Sequence, residues 1–172
     1  NITNKKEEGL KQISKTMKAL KTFNGIKKKP LPQNFKGTLR DYQKTGYYWL
    51  HFLYDYDLNG CLADDMGLGK TIQAIALLQR LKEKRALKNA LIAVPVITLS
   101  NWEAELRRFA PELTFIRHAG SKRHKELKKI LKYRLILVSY HTLRNDFKIF
   151  YEHEFDYIIL DEAHYIKNSA SQ

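Results

Sequence analysis

With 172 residues, 44% hydrophobic and 28% charged, the chain is long enough to bury one sizeable core and has globular rather than disordered composition. One cysteine and six scattered histidines argue against a disulfide framework or a zinc site, and no apolar run nears the roughly 20 residues of a membrane span. The net charge is +13, of which residues 1–38 carry +8 (ten Lys against two Glu), so a polyanionic partner is expected, nucleic acid before an acidic protein surface.

Residues 5–22 place Leu10, Ile13, Met17 and Leu20 at helical spacing with lysines between them, which predicts a small amphipathic helix. Such a helix packs on the body or on a neighbour more readily than it binds DNA directly. Asn24-Gly25 ends it, and Lys27-Lys28-Lys29-Pro30-Leu31-Pro32 reads as an extended linker. With no initiator Met and no apolar signal segment, the chain is expected to be cut from a longer protein.

A second helix is predicted from an N-cap at Thr38 through Tyr54, with Leu39, Tyr42, Gly46, Trp49, Leu50 and Leu53 as its apolar stripe. The aromatic cluster Tyr47-Tyr48-Trp49 is therefore core rather than a base-stacking platform.

Cys61-Leu62-Ala63 predicts a short buried strand, with Cys61 packed in it. Asp64, Asp65, Met66, Gly67, Leu68 and Gly69 then form a tight loop, and Lys70-Thr71 opens a helix to about Ala86. That context suits phosphate. Glycines let backbone N–H groups close around phosphate oxygens, and the helix N-terminus adds about half a positive charge. Lys70 would reach the β and γ phosphates of ATP, and the Thr71 hydroxyl would ligate Mg²⁺. The general phosphate-loop pattern begins with glycine where this chain has Asp64. A plain strand-to-helix turn with an exposed lysine is the alternative.

Ala90–Val94 is a second predicted buried strand, followed by Pro95 through Trp102 and a helix to Phe109. Ser100 could be no more than a cap in that helix's opening turn. Residues 113–116 predict a third strand, and Lys122 to Lys132 a very basic helix with Leu127, Ile130 and Leu131 inward. Leu135–Val138 predicts a fourth strand, which delivers Ser139-Tyr140-His141-Thr142. The fifth, Phe155 to Leu160, ends in Asp161-Glu162-Ala163-His164. Adjacent carboxylates behind a buried strand suit Mg²⁺ chemistry, Asp161 holding the metal through water and Glu162 polarising the attacking water. Short apolar strands alternating with amphipathic helices imply a mostly parallel sheet with helices on both faces. Its ligands would lie at the carboxyl ends of the strands, where all four motifs fall.

Asp-Asp-Met-Gly-Leu-Gly-Lys-Thr with Asp-Glu-Ala-His resembles the Snf-type (SWI/SNF-like) DNA-dependent ATPases, helicase-like translocases of superfamily two, over about residues 37–172. Their phosphate loop also begins with an acidic residue, so Asp64 fits. The resemblance implies a three-layer P-loop NTPase (RecA-like) α/β fold. Residues 1–36 would be a basic helix and linker, and 37–172 a first ATP-binding lobe ending after Asp-Glu-Ala-His.

It further implies that Leu39-Arg40-Asp41-Tyr42-Gln43 brings the Gln43 amide to the adenine edge, and that His164 couples the motifs. Ser100, Trp102, Ser139, Tyr140 and Thr142 would meet duplex DNA backbone, contacts that position without reading sequence. A second lobe of the same polypeptide would supply arginine to the γ-phosphate, and the site would be intracellular: cytoplasm or nucleoid in a bacterium, nucleus in a eukaryote. Another superfamily-two motor, an RNA helicase or restriction-enzyme subunit, is the neighbouring alternative. A nucleotide- and DNA-binding module without turnover is the alternative of a different class, and for these 172 residues taken alone, near inactivity is the expectation.

Overall fold

The computed structural model describes Ser14, Thr16, Met17, Leu20, Lys21, residues 23–65 and residues 67–166. The helix expected over 5–22 falls largely outside the described residues, as do Met66 and everything after Ile166. Two compact units divide the chain, one of residues 1–30 and 38–77, the other of residues 31–37 and 78–172.

In the first unit, α1 (Asp41–Asp55) begins three residues after the expected cap. The backbone N–H of Arg40 donates to the Gln43 side-chain oxygen at 2.9 Å, so the helix is capped from within its own first turn and Thr38 is not used. Tyr47 is fully buried and its hydroxyl donates to the Pro30 carbonyl at 2.9 Å, as a core aromatic with a satisfied polar tip should. Tyr42, expected in the apolar stripe, faces solvent instead, and Gln43 takes the buried position beside it.

Residues 61–63 do not form the expected strand, and Cys61 is exposed. Three apolar residues between Asn59-Gly60 and two aspartates are too few to hold a ladder against the turn chemistry on either side. Helix α2 (Lys70–Glu83) starts where the sequence placed it and ends three residues before the expected Ala86; the division between units falls within it.

The second unit holds one four-stranded sheet in the order β2-β3-β1-β4, with β1 Ala90–Val94, β2 Phe115–His118, β3 Leu135–Ser139 and β4 Tyr157–Leu160. All three pairings are parallel, which short hairpins cannot give, so helical segments carry the crossovers. These are α3 (Leu99–Phe109), α4 (Leu127–Ile130), α5 (Tyr140–Asn145) and α6 (Phe147–Phe150). The two central strands are buried along their whole length, which is why they read as continuous apolar runs. Leu91 pairs with Ile136 and Ala93 with Val138, and these four build a core with Ile130 and Phe150.

Segment 31–37 belongs here because Glu83 accepts the backbone N–H groups of Gln33 and Asn34, and Lys36 N–H donates to the Phe109 carbonyl. Phe35 stacks on Phe109 with ring centroids 5.9 Å apart.

Three expectations shift in this unit. Strand β2 lies two residues later than predicted, because Leu113 buries as an anchor before the strand rather than in it. The long basic helix shrinks to the single turn α4, since Arg123 and Lys125 reach across to Asp146 instead of lining a helix face. Its apolar residues do turn inward, with Ile130 buried and Leu127 and Leu131 packed against the core. Strand β4 is paired only with β1 among the described residues and alternates in burial, leaving Ile158 56% and Leu160 46% exposed where a buried strand was expected.

Candidate nucleotide loop and carboxylate edge

The phosphate-loop residues belong to the first unit. Gly67 and Gly69 have φ of +81° and +80°, the left-handed region in which a Cβ costs about 1 kcal/mol or more. Between them the backbone turns sharply enough for α2 to begin at Lys70, so its free N–H groups open toward the loop. The Lys70 ammonium donates to the carbonyls of Asp64 and Asp65 at 2.7 and 3.0 Å. A positive group already held by the loop's own acceptors has the reach and charge to exchange them for phosphate oxygens. Thr71 sits half-buried in the first turn of α2.

Gln43 is buried and uses both ends of its amide. While its oxygen caps α1, its nitrogen donates to the Leu68 carbonyl at 3.0 Å. A Cβ on Gly69 would approach that nitrogen to 2.5 Å, so glycine there is required by close approach as well as by φ. Gln43 thus holds the phosphate loop itself.

Sequence reasoning missed a second amide. Gln73, fully buried in α2, donates from its side-chain nitrogen to the Asp64 carboxylate at 3.2 Å. The acidic residue at the loop's first position is therefore anchored from the helix that follows it. The signal available was its spacing: Gln73 lies one helical turn beyond Gly69, facing back toward the loop.

The second unit carries the carboxylates. The Asp161 backbone N–H donates to the Ala93 carbonyl at 2.9 Å, extending the β1–β4 ladder by one rung and leaving its side chain at the sheet's carboxyl end. The Trp102 indole N–H donates to Asp161 Oδ2 at 2.8 Å, and the Tyr140 hydroxyl donates to the Asp161 carbonyl at 2.7 Å. Burial pushes the Tyr140 phenol up to about 12, the charges of Asp161 and Glu162 adding to it, so it stays a donor. Among the described residues, Asp161 Oδ1 accepts no hydrogen bond. A carboxylate oxygen left open beside one that is fixed suits a hard cation such as Mg²⁺.

Glu162 has a φ of +51°, a left-handed position that costs a non-glycine residue roughly 1–2 kcal/mol and that clusters at functional turns. His164 Nδ1 lies 3.2 Å from Glu162 Oε2.

Of the residues expected to face DNA, Ser100 is exposed in the first turn of α3. It does not cap that helix, where Thr98 stands at the cap position. Trp102 is 2% exposed with its N–H committed to Asp161, so its side chain is not available to a phosphate. Ser139 is also buried. Its hydroxyl accepts the Thr142 backbone N–H at 3.1 Å and donates to the Thr142 hydroxyl at 2.9 Å, which makes it the cap of α5. Tyr140 is half-buried, while Thr142 keeps partial access to solvent. Three of the four motifs placed at strand ends do follow strands of the sheet; the phosphate loop follows irregular chain.

No helix among the described residues is long and apolar enough to cross a membrane, and among them no group of three or more His, Cys, Asp or Glu is arranged to hold a metal by itself.

Residues 42–172 match the model of the SNF2-related domain. Helicase SWR1 of Eremothecium gossypii is 45% identical over 148 residues, covering 83% of this chain and 10% of the relative. The chromatin-remodeling ATPase INO80 of Drosophila melanogaster is 35% identical over 159 residues, covering 86% of this chain and again 10% of the relative. Among solved structures, the Sulfolobus solfataricus SWI2/SNF2 ATPase core in complex with dsDNA matches with a TM-score of 0.73 and 39% identity. That match covers 81% of this chain and 29% of the other. The chain thus spans about a tenth of the length of these sequence relatives.

Proposed function

This chain belongs to the SNF2-related domain family, with a parallel RecA-like sheet, and from that premise we propose that it is the ATP-binding lobe of a DNA-dependent ATPase. In this reading residues 37–172 would make up the lobe, the basic segment of residues 1–36 would precede it, and a second lobe of the same polypeptide would complete the motor. The observation that carries the reading is the loop at Gly67 to Thr71. Two left-handed glycines open a helix N-terminus, and a lysine ammonium rests on loop carbonyls that phosphate oxygens can replace.

In this reading Lys70 binds the β and γ phosphates, and Gln43 and Gln73 hold the loop in shape around them. Thr71 would ligate Mg²⁺ and Asp161 would hold it through water, and the ion would neutralise charge building on the phosphates. Glu162 orients and accepts a proton from the attacking water, and His164 beside it links that carboxylate to the following turn. Ser100 and Thr142 offer hydroxyls to the backbone of duplex DNA, without reading sequence. In the whole protein, nucleotide turnover would drive movement along DNA and remodel protein–DNA complexes, inside the cell.

A direct test is nucleotide binding. The full-length protein should bind a fluorescent ATP analogue in Mg²⁺, and Lys70→Ala should weaken that binding by at least tenfold with an unchanged circular dichroism spectrum. Equal affinity in both would remove the phosphate-loop assignment.

A further inference from the structure

Asp161 is held by two side chains, and each comes from the opening turn of a different helix. Trp102 lies in the first turn of α3, which follows β1; Tyr140 is the first residue of α5, which follows β3. One grips the carboxylate and the other the backbone carbonyl of the same residue. Each turn also has an outward side. Ser100 is exposed two residues before Trp102, and His141 and Thr142 reach solvent directly after Tyr140.

The inner contacts are stiff. Trp102 is buried, so its indole plane is fixed by packing and its N–H direction with it. Tyr140 is pinned at its own backbone by the Ser139 cap on Thr142. Helix turns move as bodies, and a displacement of either opening turn therefore shifts Asp161 through a single hydrogen bond. Among the described residues the hydrogen bond that ties Asp161 to β1 is its N–H to Ala93, while its side chain and carbonyl are held from outside its own strand.

We propose that Trp102 and Tyr140 are positioning residues that join the outward turns of α3 and α5 to the carboxylate of Asp161, so that duplex DNA on those turns and Mg²⁺-nucleotide at Asp161 are coupled. This rests on the ATPase-lobe reading above, and it assigns a role that neither residue would have as a DNA contact. It also explains why a bulky tryptophan is buried directly after the exposed Ser100 and Asn101.

The experiment is a binding cycle on the full-length protein carrying Glu162→Gln, which removes turnover from the comparison. Duplex affinity is measured with and without a saturating Mg²⁺-ATP analogue, and analogue affinity with and without saturating duplex. Linkage requires the two ratios to be equal, and couplings of this kind run at about 5–150-fold. The parent should show such a factor, whereas Trp102→Phe and Tyr140→Phe, each removing one donor while leaving an aromatic ring in place, should bring it toward one. Thermal stability serves as the control for packing. Variants that keep the parental factor, or a parent whose two ligands bind independently, would overturn the proposal while leaving the lobe reading standing. Failure of the parent to bind either ligand would overturn both. Should Trp102→Phe not fold, Tyr140→Phe alone decides.

Discussion

A Cβ on Gly46 would sit 1.9 Å from the side-chain oxygen of Gln73, so the bare backbone of α1 is what lets the Gln73 amide lie flat against it and reach Asp64. The amide orientation follows from chemistry: only the NH₂ end can face a carboxylate. Its oxygen, otherwise without a hydrogen-bond partner, is left against the Gly46 Cα, a weak C–H donor.

Gly46→Ala should therefore destabilise the protein by about 1–3 kcal/mol through overpacking and loosen the phosphate loop. In a Gln73→Ala background the same change should lose its penalty and gain roughly 0.5–1 kcal/mol, the ordinary helix preference of alanine. Chemical denaturation of the four proteins in the cycle measures this. A Gly46→Ala cost that is the same in both backgrounds would separate the two residues.

Glu162→Gln should keep Mg²⁺-nucleotide binding near wild type and lower turnover by about 10²–10⁴, the usual worth of a general base. Asp161→Ala should instead weaken Mg²⁺-dependent nucleotide binding. Phosphate release and analogue binding, measured on both variants in the full-length protein, separate the roles. A Glu162→Gln protein hydrolysing at the wild-type rate would show that the base lies elsewhere.

The two central strands and the start of α2 were legible because their causes are local. Ala90–Val94 and Leu135–Ser139 are buried on both faces and so read as unbroken apolar runs, and Lys70 begins a helix because glycines precede it. Residues 61–63 were not legible, since a three-residue run becomes a strand only if a neighbour pairs with it. The basic stretch after Gly120 failed for a different reason. Its charges looked like a solvated helix face, whereas Arg123 and Lys125 are spent on an aspartate more than 20 residues away. Trp102 was placed toward DNA by its motif; its burial and its hydrogen bond across 59 residues to Asp161 turn the side chain inward.

That aspartate gives a pH prediction. Asp146 is buried and accepts from Arg123, Lys125 and His118. The Arg123 guanidinium beside it, with Lys125 and His118 adding to the effect against the cost of burial, holds its carboxyl well below the usual carboxylate range. Because the folded value is depressed, its stabilisation is complete above the unfolded value near pH 4 and is lost as pH falls toward the folded one. Asp146→Asn should cost about 2 kcal/mol at neutral pH, the worth of a hydrogen bond to a charged group. The stability gap between wild type and variant should persist down to about pH 4 and shrink below it. Denaturation across that series tests it; a gap that closes between pH 7 and 5, or that never opens, would contradict the assignment.

The most direct measurement is steady-state phosphate release by the full-length protein with no nucleic acid, with duplex DNA and with RNA, beside the same series for Lys70→Ala. The account predicts turnover that rises with duplex DNA of any sequence, responds little to RNA, and disappears in Lys70→Ala. Turnover indifferent to DNA, stimulated by RNA in its place, or retained by Lys70→Ala would contradict it.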